Sequence, residues 1–159
     1  MIYIPKHFSN SEFWNIKLMN PLTLYFIDTV RDAMGEITDF RFNTLSTNNP
    51  EDNHVKGSSH YDNRAVDYTI SSKKLKKLTQ NKKEADMFTL ESLFSTLIKT
   101  RTSKMMGLGV YVNSKGYISY HTDYRSEPAK WMALGKNKNN EWNYVDFNYE
   151  KLKDHILTL

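Results

Sequence analysis

The 159-residue sequence contains no cysteine. Disulfides and thiolate metal ligands are therefore excluded, and any transition-metal site must be assembled from histidines and carboxylates. No stretch is long and apolar enough to span a bilayer. The first residues, MIYIPKHFSNSEF, lack the layout of a secretory leader, so a soluble chain made in the cytoplasm is expected. Internal repeats and linker-like stretches are also lacking, and the length suits one domain over residues 1–159 with one core. No recognisable nucleic-acid-binding motif occurs, so no nucleic-acid partner is expected.

Aromatic residues are plentiful, with ten Tyr and eight Phe, which argues against a disordered chain. The net charge of +4 and a pI near 9.1 suit an anionic partner. Much of the excess lies in SSKKLKKLTQNKK, which reads as a solvated surface segment.

Periodicity predicts the elements. Ser9 and Glu12 fit a capping box that opens a short helix to about Met19. Pro21 marks a new start, and Leu22, Tyr25, Phe26, Thr29, Val30, Ala33 and Met34 form one helical face ending near Gly35. EITDFRF (36–42) alternates as a strand, and the segment after it, rich in Asn, Ser, Gly and Pro, reads as a long loop of the kind that carries function. AVDYTI (65–70) reads as a strand, and Met87, Leu90, Phe94, Leu97 and Ile98 mark a helix over 86–100. GLGVYVNSKGYISYHTDYR reads as a β-hairpin, with a further strand at AKWMAL, a last short strand before Phe147 and a closing helix. Helices flanking a small antiparallel sheet give an α+β fold.

The hairpin frames the chemistry. Alternate strand residues share a face, so Tyr117, Ser119, His121, Asp123 and Arg125 lie together. A solvated face would be polar as well. With His60 and Asp67 at the start of the 65–70 strand, His121 would complete three N/O ligands, leaving a fourth zinc position for water. His54 lies in the polar loop and reads as solvated; His7 and His155 read as structural. Trp131 and Trp142 read as core, with a groove wall beside the hairpin as the alternative.

Two motifs carry a resemblance. Ser58-x-His60-x-x-Asn63-x-Ala65-x-Asp67 resembles the SxHxxGxAxD signature of the M15 family of zinc peptidases, which cleave D-Ala-D-Ala or L-alanyl-D-glutamate bonds and share a fold with the hedgehog signalling domain. His121-Thr122-Asp123-Tyr124-Arg125 resembles the His-x-Asp-x-Arg ending of one branch, and GLGVY (107–111) the glycine-rich strand before it. The resemblance implies a hedgehog/DD-peptidase-like fold, Zn²⁺ on His60, Asp67 and His121, and Ser58 steadying the ligand loop. It further implies Arg41 and Arg125 on the substrate or oxyanion side, and Asp123 as general base or supporting carboxylate. The motif glycine is Asn63 here, the non-glycine residue that best tolerates a left-handed backbone. Where another branch carries a catalytic glutamate, three residues before the last histidine, this chain has Ile118, leaving Asp123 or Glu127 as the base. The implied substrate is the peptide stem of peptidoglycan, cut by a monomer resembling bacteriophage endolysins that reach the wall after membrane permeabilisation or from a virion. The alternative is a wall- or protein-binding module that keeps the fold without catalysis.

Overall fold

A computed structural model describes residues 3–54, 56–79 and 81–159. Asn20 opens α1 (Pro21–Gly35) by accepting from the backbone N–H groups of Leu22 and Thr23, with Pro21 in the first turn where no donor is needed. Asn81 and Asn148 cap α3 (Lys82–Lys99) and α4 (Tyr149–Thr158) in the same way. Just ahead of α3, α2 (Lys73–Leu78) folds from the lysine run. Leu75 is its buried residue and its four lysines are exposed, so the solvated reading holds for their side chains.

Six strands, β1 (Arg41–Ser46), β2 (Ala65–Ser71), β3 (Met106–Val112), β4 (Ile118–Tyr124), β5 (Ala129–Lys136) and β6 (Trp142–Asp146), form one sheet in the order β1-β2-β4-β3-β5-β6. The fold is α+β, as expected, but the sheet is not wholly antiparallel. β5 runs parallel to β3 because the short link after Tyr124 carries the chain past the start of β3 to its free side. No helix among the described residues is long and apolar enough to cross a membrane.

Strand alternation divides the sheet into two unlike faces. Val66, Tyr68, Leu108, Val110, Tyr120 and Met132 point to one side and are buried, where they join Leu24, Ile27 and Val30 of α1, Leu90, Leu93 and Leu97 of α3, and Leu152 of α4. Truncating one of these large aliphatic side chains to alanine costs about 2–5 kcal/mol. The opposite side of the same strands carries Asp67, Gly107, Gly109, Tyr111, Ser119, His121, Asp123 and Trp131. Helices cover the first face, and loop residues 47–54 and 56–64 approach the second.

Two expected elements differ. The helix over 9–19 is instead a pair of 3-10 turns, Asn10–Glu12 and Ile16–Leu18. The backbone N–H groups of Trp14 and Asn15, which a helix would use, donate instead to Thr47 Oγ1 and Asn48 Oδ1. The first strand begins at Arg41 rather than 36, because Ile37 and Thr38 still donate back to Met34. Asp39 is committed to the start of α2, where it accepts from Ser72 Oγ and the Lys74 N–H.

Candidate metal centre

His60, Asp67 and His121 come from three separate places: the loop before β2, β2 itself, and β4. The sheet register sets Asp67 directly opposite His121. The loop then folds His60 over the pair. His60 Nε2 lies 3.2 Å from Asp67 Oδ1 and 3.3 Å from His121 Nδ1, and His121 Nδ1 lies 2.7 Å from the same Asp67 oxygen. Three donor atoms thus form a triangle with edges of 2.7–3.3 Å.

Each ring is also held at its outer edge. His60 Nδ1 lies 2.5 Å from the Thr47 carbonyl oxygen, which can only accept, so Nδ1 carries the proton. His121 has a carboxylate on each side, Asp67 Oδ1 at 2.7 Å from Nδ1 and Asp123 Oδ2 at 3.3 Å from Nε2, so an ion that takes Nδ1 leaves the proton on Nε2. With the His121 proton on Nε2, two nitrogen lone pairs point at a carboxylate oxygen; without an ion, a proton on Nδ1 bridges His121 to Asp67. Acceptors do not converge without a proton or a cation between them. Tetrahedral zinc, with bonds of about 2.0–2.2 Å, sets its ligand atoms roughly 3.3 Å apart. Two edges match that spacing and the third is slightly tight, so the residues fit such an ion. An imidazole whose far nitrogen is held by a carboxylate or carbonyl is also the usual arrangement of a metal-binding histidine.

Without an ion, the same charges shift the proton equilibria. Burial alone would lower the His121 value, but hydrogen bonds to Asp123 and Asp67 and their charges raise it to about 9. Burial works to raise the Asp67 carboxyl, and His121 and His60 together hold it well below the usual range.

Asp123 stands behind His121 and is fully buried. Arg125 grips it through Nε at 2.6 Å and Nη2 at 2.8 Å, and Ser59 Oγ donates at 2.7 Å. Burial would raise its carboxyl, but these partners together with His121 hold it well below the usual range. A carboxylate so fully engaged orients His121 and is a weak proton acceptor. Two glycines make the room. A Cβ on Gly107 would sit 2.1 Å from Asp123 Oδ1, and one on Gly109 2.6 Å from the Trp131 indole. That indole stacks under the Arg125 guanidinium, 4.7 Å from its centroid, and lies 5.3 Å from the His121 ring.

The ligand loop is fastened at several points. Ser58 Oγ accepts from the His60 N–H at 3.3 Å. Asn63 takes φ of 57°, the left-handed conformation that the motif glycine implied. Its side-chain oxygen accepts from Asn48 at 2.8 Å, which fixes the loop beside Thr47. Glycine would supply the turn but not that bond.

Arg41 is not brought to this site. It is exposed at the far end of β1, opposite Ser71, whereas Ser46 at the other end lies opposite Asp67. Ser71 is four residue steps along the strand from Asp67, roughly 13 Å. Ile118 pairs with Val112 and lines a separate cleft beside α2 and α3, on the helix side of the sheet.

His54 is closer than its loop position suggested. Its donor atom lies within 4.8 Å of those of His60 and Asp67, so it belongs to the metal-capable cluster. Its ring stacks on His60 at 3.9 Å and 2°. An ion in the His60 plane would lie well outside the His54 plane, so His54 covers the site and is not aimed at it. Ser59, the Thr47 carbonyl and this stack escaped sequence reasoning. The two alternating glycines were the available signal, since glycine inside a strand often marks a close approach.

Comparison with known proteins gives no further guide: no family model, curated protein or solved structure matches this chain.

Proposed function

We propose that this chain is a zinc-dependent peptidase acting on the peptide stem of peptidoglycan. The observation that carries the reading is the convergence of two histidine nitrogens and a carboxylate oxygen, each ring held from behind by an acceptor. The substrate class rests on the motif resemblance around Ser58–Asp67 and His121–Arg125. Action on the wall after membrane permeabilisation, or from a virion, belongs to the same proposal.

Zinc held by His60, Asp67 and His121 would supply Lewis acidity, polarising a carbonyl and acidifying water. The chain's own residues do the rest. Asp123 keeps the His121 proton on Nε2. Arg125, partly exposed, has its inner edge fixed by Asp123 and one face by Trp131. Arg125 lines the cleft, where the N–H groups not taken by Asp123 would donate to a substrate carboxylate or a developing oxyanion. The cleft has a volume of about 600 Å³, room for a peptide segment.

One observation favours the alternative of a binding module with weak or no catalysis. The carboxylates lining this cleft are Asp67 and Asp123, and both oxygens of Asp123 are engaged. The deciding experiment digests purified peptidoglycan with the zinc-loaded and the chelated protein and identifies products by mass spectrometry. Zinc-dependent release of a defined peptide establishes the peptidase. Stoichiometric zinc with no product from several wall types establishes the binding module.

A further inference from the structure

We propose that the lysine-rich surface around α2, on the helix side of the sheet and away from the metal centre, is a peripheral binding surface for an anionic lipid bilayer. α2 carries Lys73, Lys74, Lys76 and Lys77 within six residues. Each residue turns an α-helix by about 100°, so with Leu75 facing inward the four lysines fan out over the opposite side. All four are exposed, and among the described residues none of them forms an ion pair. Asp39, the acid at the start of the helix, accepts from Ser72 Oγ and the Lys74 N–H, not from an ammonium group. Lys82, by contrast, is neutralised by Asp86. The four free ammonium groups carry as much charge as the net +4 of the whole chain.

That charge selects an anionic partner, and the apolar residues beside it select a lipid. Leu78 ends α2 and is 79% exposed; no large hydrophobic side chain among the described residues is more so. It follows Lys74 by four residues and lies on the same stripe of the helix. Tyr117, 62% exposed, lines the cleft that Lys76 also lines, with the Lys82 ammonium 5.5 Å from its ring centroid. A nucleic acid or an anionic wall polymer would pair with the lysines and leave Leu78 in water. A bilayer surface takes both: headgroups meet the ammonium groups, the leucine enters the acyl boundary, and a tyrosine suits the headgroup level. Beside an anionic bilayer each lysine raises the binding constant about fivefold. Immersing Leu78 adds roughly tenfold. The metal cleft lies on the other face of the sheet, so a bilayer seated here does not cover it.

Co-sedimentation of the full chain with vesicles tests this surface without zinc or turnover entering the readout. Vesicles of phosphatidylcholine alone are compared with vesicles in which about one third of the lipid is phosphatidylglycerol. Binding to the anionic vesicles is expected to be about tenfold tighter or more, and to weaken steeply between about 0.05 and about 0.5 M salt. Replacing the four α2 lysines by glutamine should lower it on the order of a hundredfold, and Leu78→Ser about tenfold. Lys138→Gln, in the turn between β5 and β6, should leave it unchanged. The replaced side chains are all exposed, and circular dichroism verifies that the variants fold. Equal sedimentation with both vesicle types, or none with either at millimolar lipid, overturns the surface. Binding that is lost with the lysines, indifferent to Leu78→Ser and fully competed by polyphosphate assigns the patch to a soluble polyanion and overturns the lipid.

Discussion

Replacing Asp123 by alanine strips the acceptor from three donors at once: Ser59 Oγ, the Arg125 fork and His121 Nε2. Arg125 is 37% exposed and can turn to water, whereas the His121 side chain is only 9% exposed. A buried N–H left without a partner costs about 1–3 kcal/mol. His121 escapes that cost by moving its proton to Nδ1, which already lies 2.7 Å from Asp67 Oδ1. The ring then presents N–H, not a lone pair, to the ion position. Loss of such an orienting partner typically lowers metal affinity 10- to 100-fold, about 1.4–2.7 kcal/mol. Competition for zinc against a chromophoric chelator measures the affinity, with circular dichroism to verify folding. Long-range nitrogen–proton NMR reports the His121 tautomer directly. Ser59→Ala, which removes one of the hydrogen bonds, should lose only a few-fold. If Asp123→Ala binds zinc as tightly as the parent while losing turnover, Asp123 is a proton acceptor in the reaction and the positioning argument is wrong.

His54→Ala should keep one zinc per chain with affinity within about threefold, while His60→Ala loses far more than the 10- to 100-fold typical of an orienting partner; equal losses in the two would make His54 a ligand. Gly107→Ala drives a methyl group into Asp123 and Arg125, so thermal denaturation should show a loss of about 1–3 kcal/mol together with weaker zinc binding. An unchanged melting temperature would mean that the pair moves aside freely. In chelator, the raised His121 value means that its charged form stabilises the fold. That contribution is complete below the unfolded value of about 6.5 and disappears as pH rises through about 9. Denaturant midpoints of the metal-free chain should therefore fall between pH 6.5 and 9.5, and saturating zinc should reverse the trend because the ion displaces the proton. A midpoint that rises with pH in chelator contradicts the assignment.

Much of the site was legible because its residues lie close together along the chain. Period-two alternation placed His121, Asp123 and Arg125 on one face; the register bears that out for His121 and Asp123, and Arg125, just past the strand end, bonds to Asp123. Asn63 was expected in a left-handed turn and is found in one. Arg41 was carried over by the order of elements, which says nothing about distance along a strand. The strand starts five residues later than expected, and its register leaves Arg41 at the end away from Asp67. The 9–19 segment shows a different limit. Its helix signal was local, but its backbone donors are taken by Thr47 and Asn48, 33 positions away.

Taken alone, the sequence determined the helix and strand periods, the two faces of each strand and the exclusion of cysteine ligands, because these depend on neighbours a few residues apart. Tertiary structure decided the rest. The parallel β3–β5 pairing brings Trp131 beside His121, and the Ser59–Asp123 bond joins residues 64 positions apart. The Thr47 carbonyl that sets the His60 proton is a backbone group, identical in every residue type. Only folding shows which carbonyl lies behind which ring, and that arrangement brings two histidines and an aspartate together as a set of converging ligand atoms.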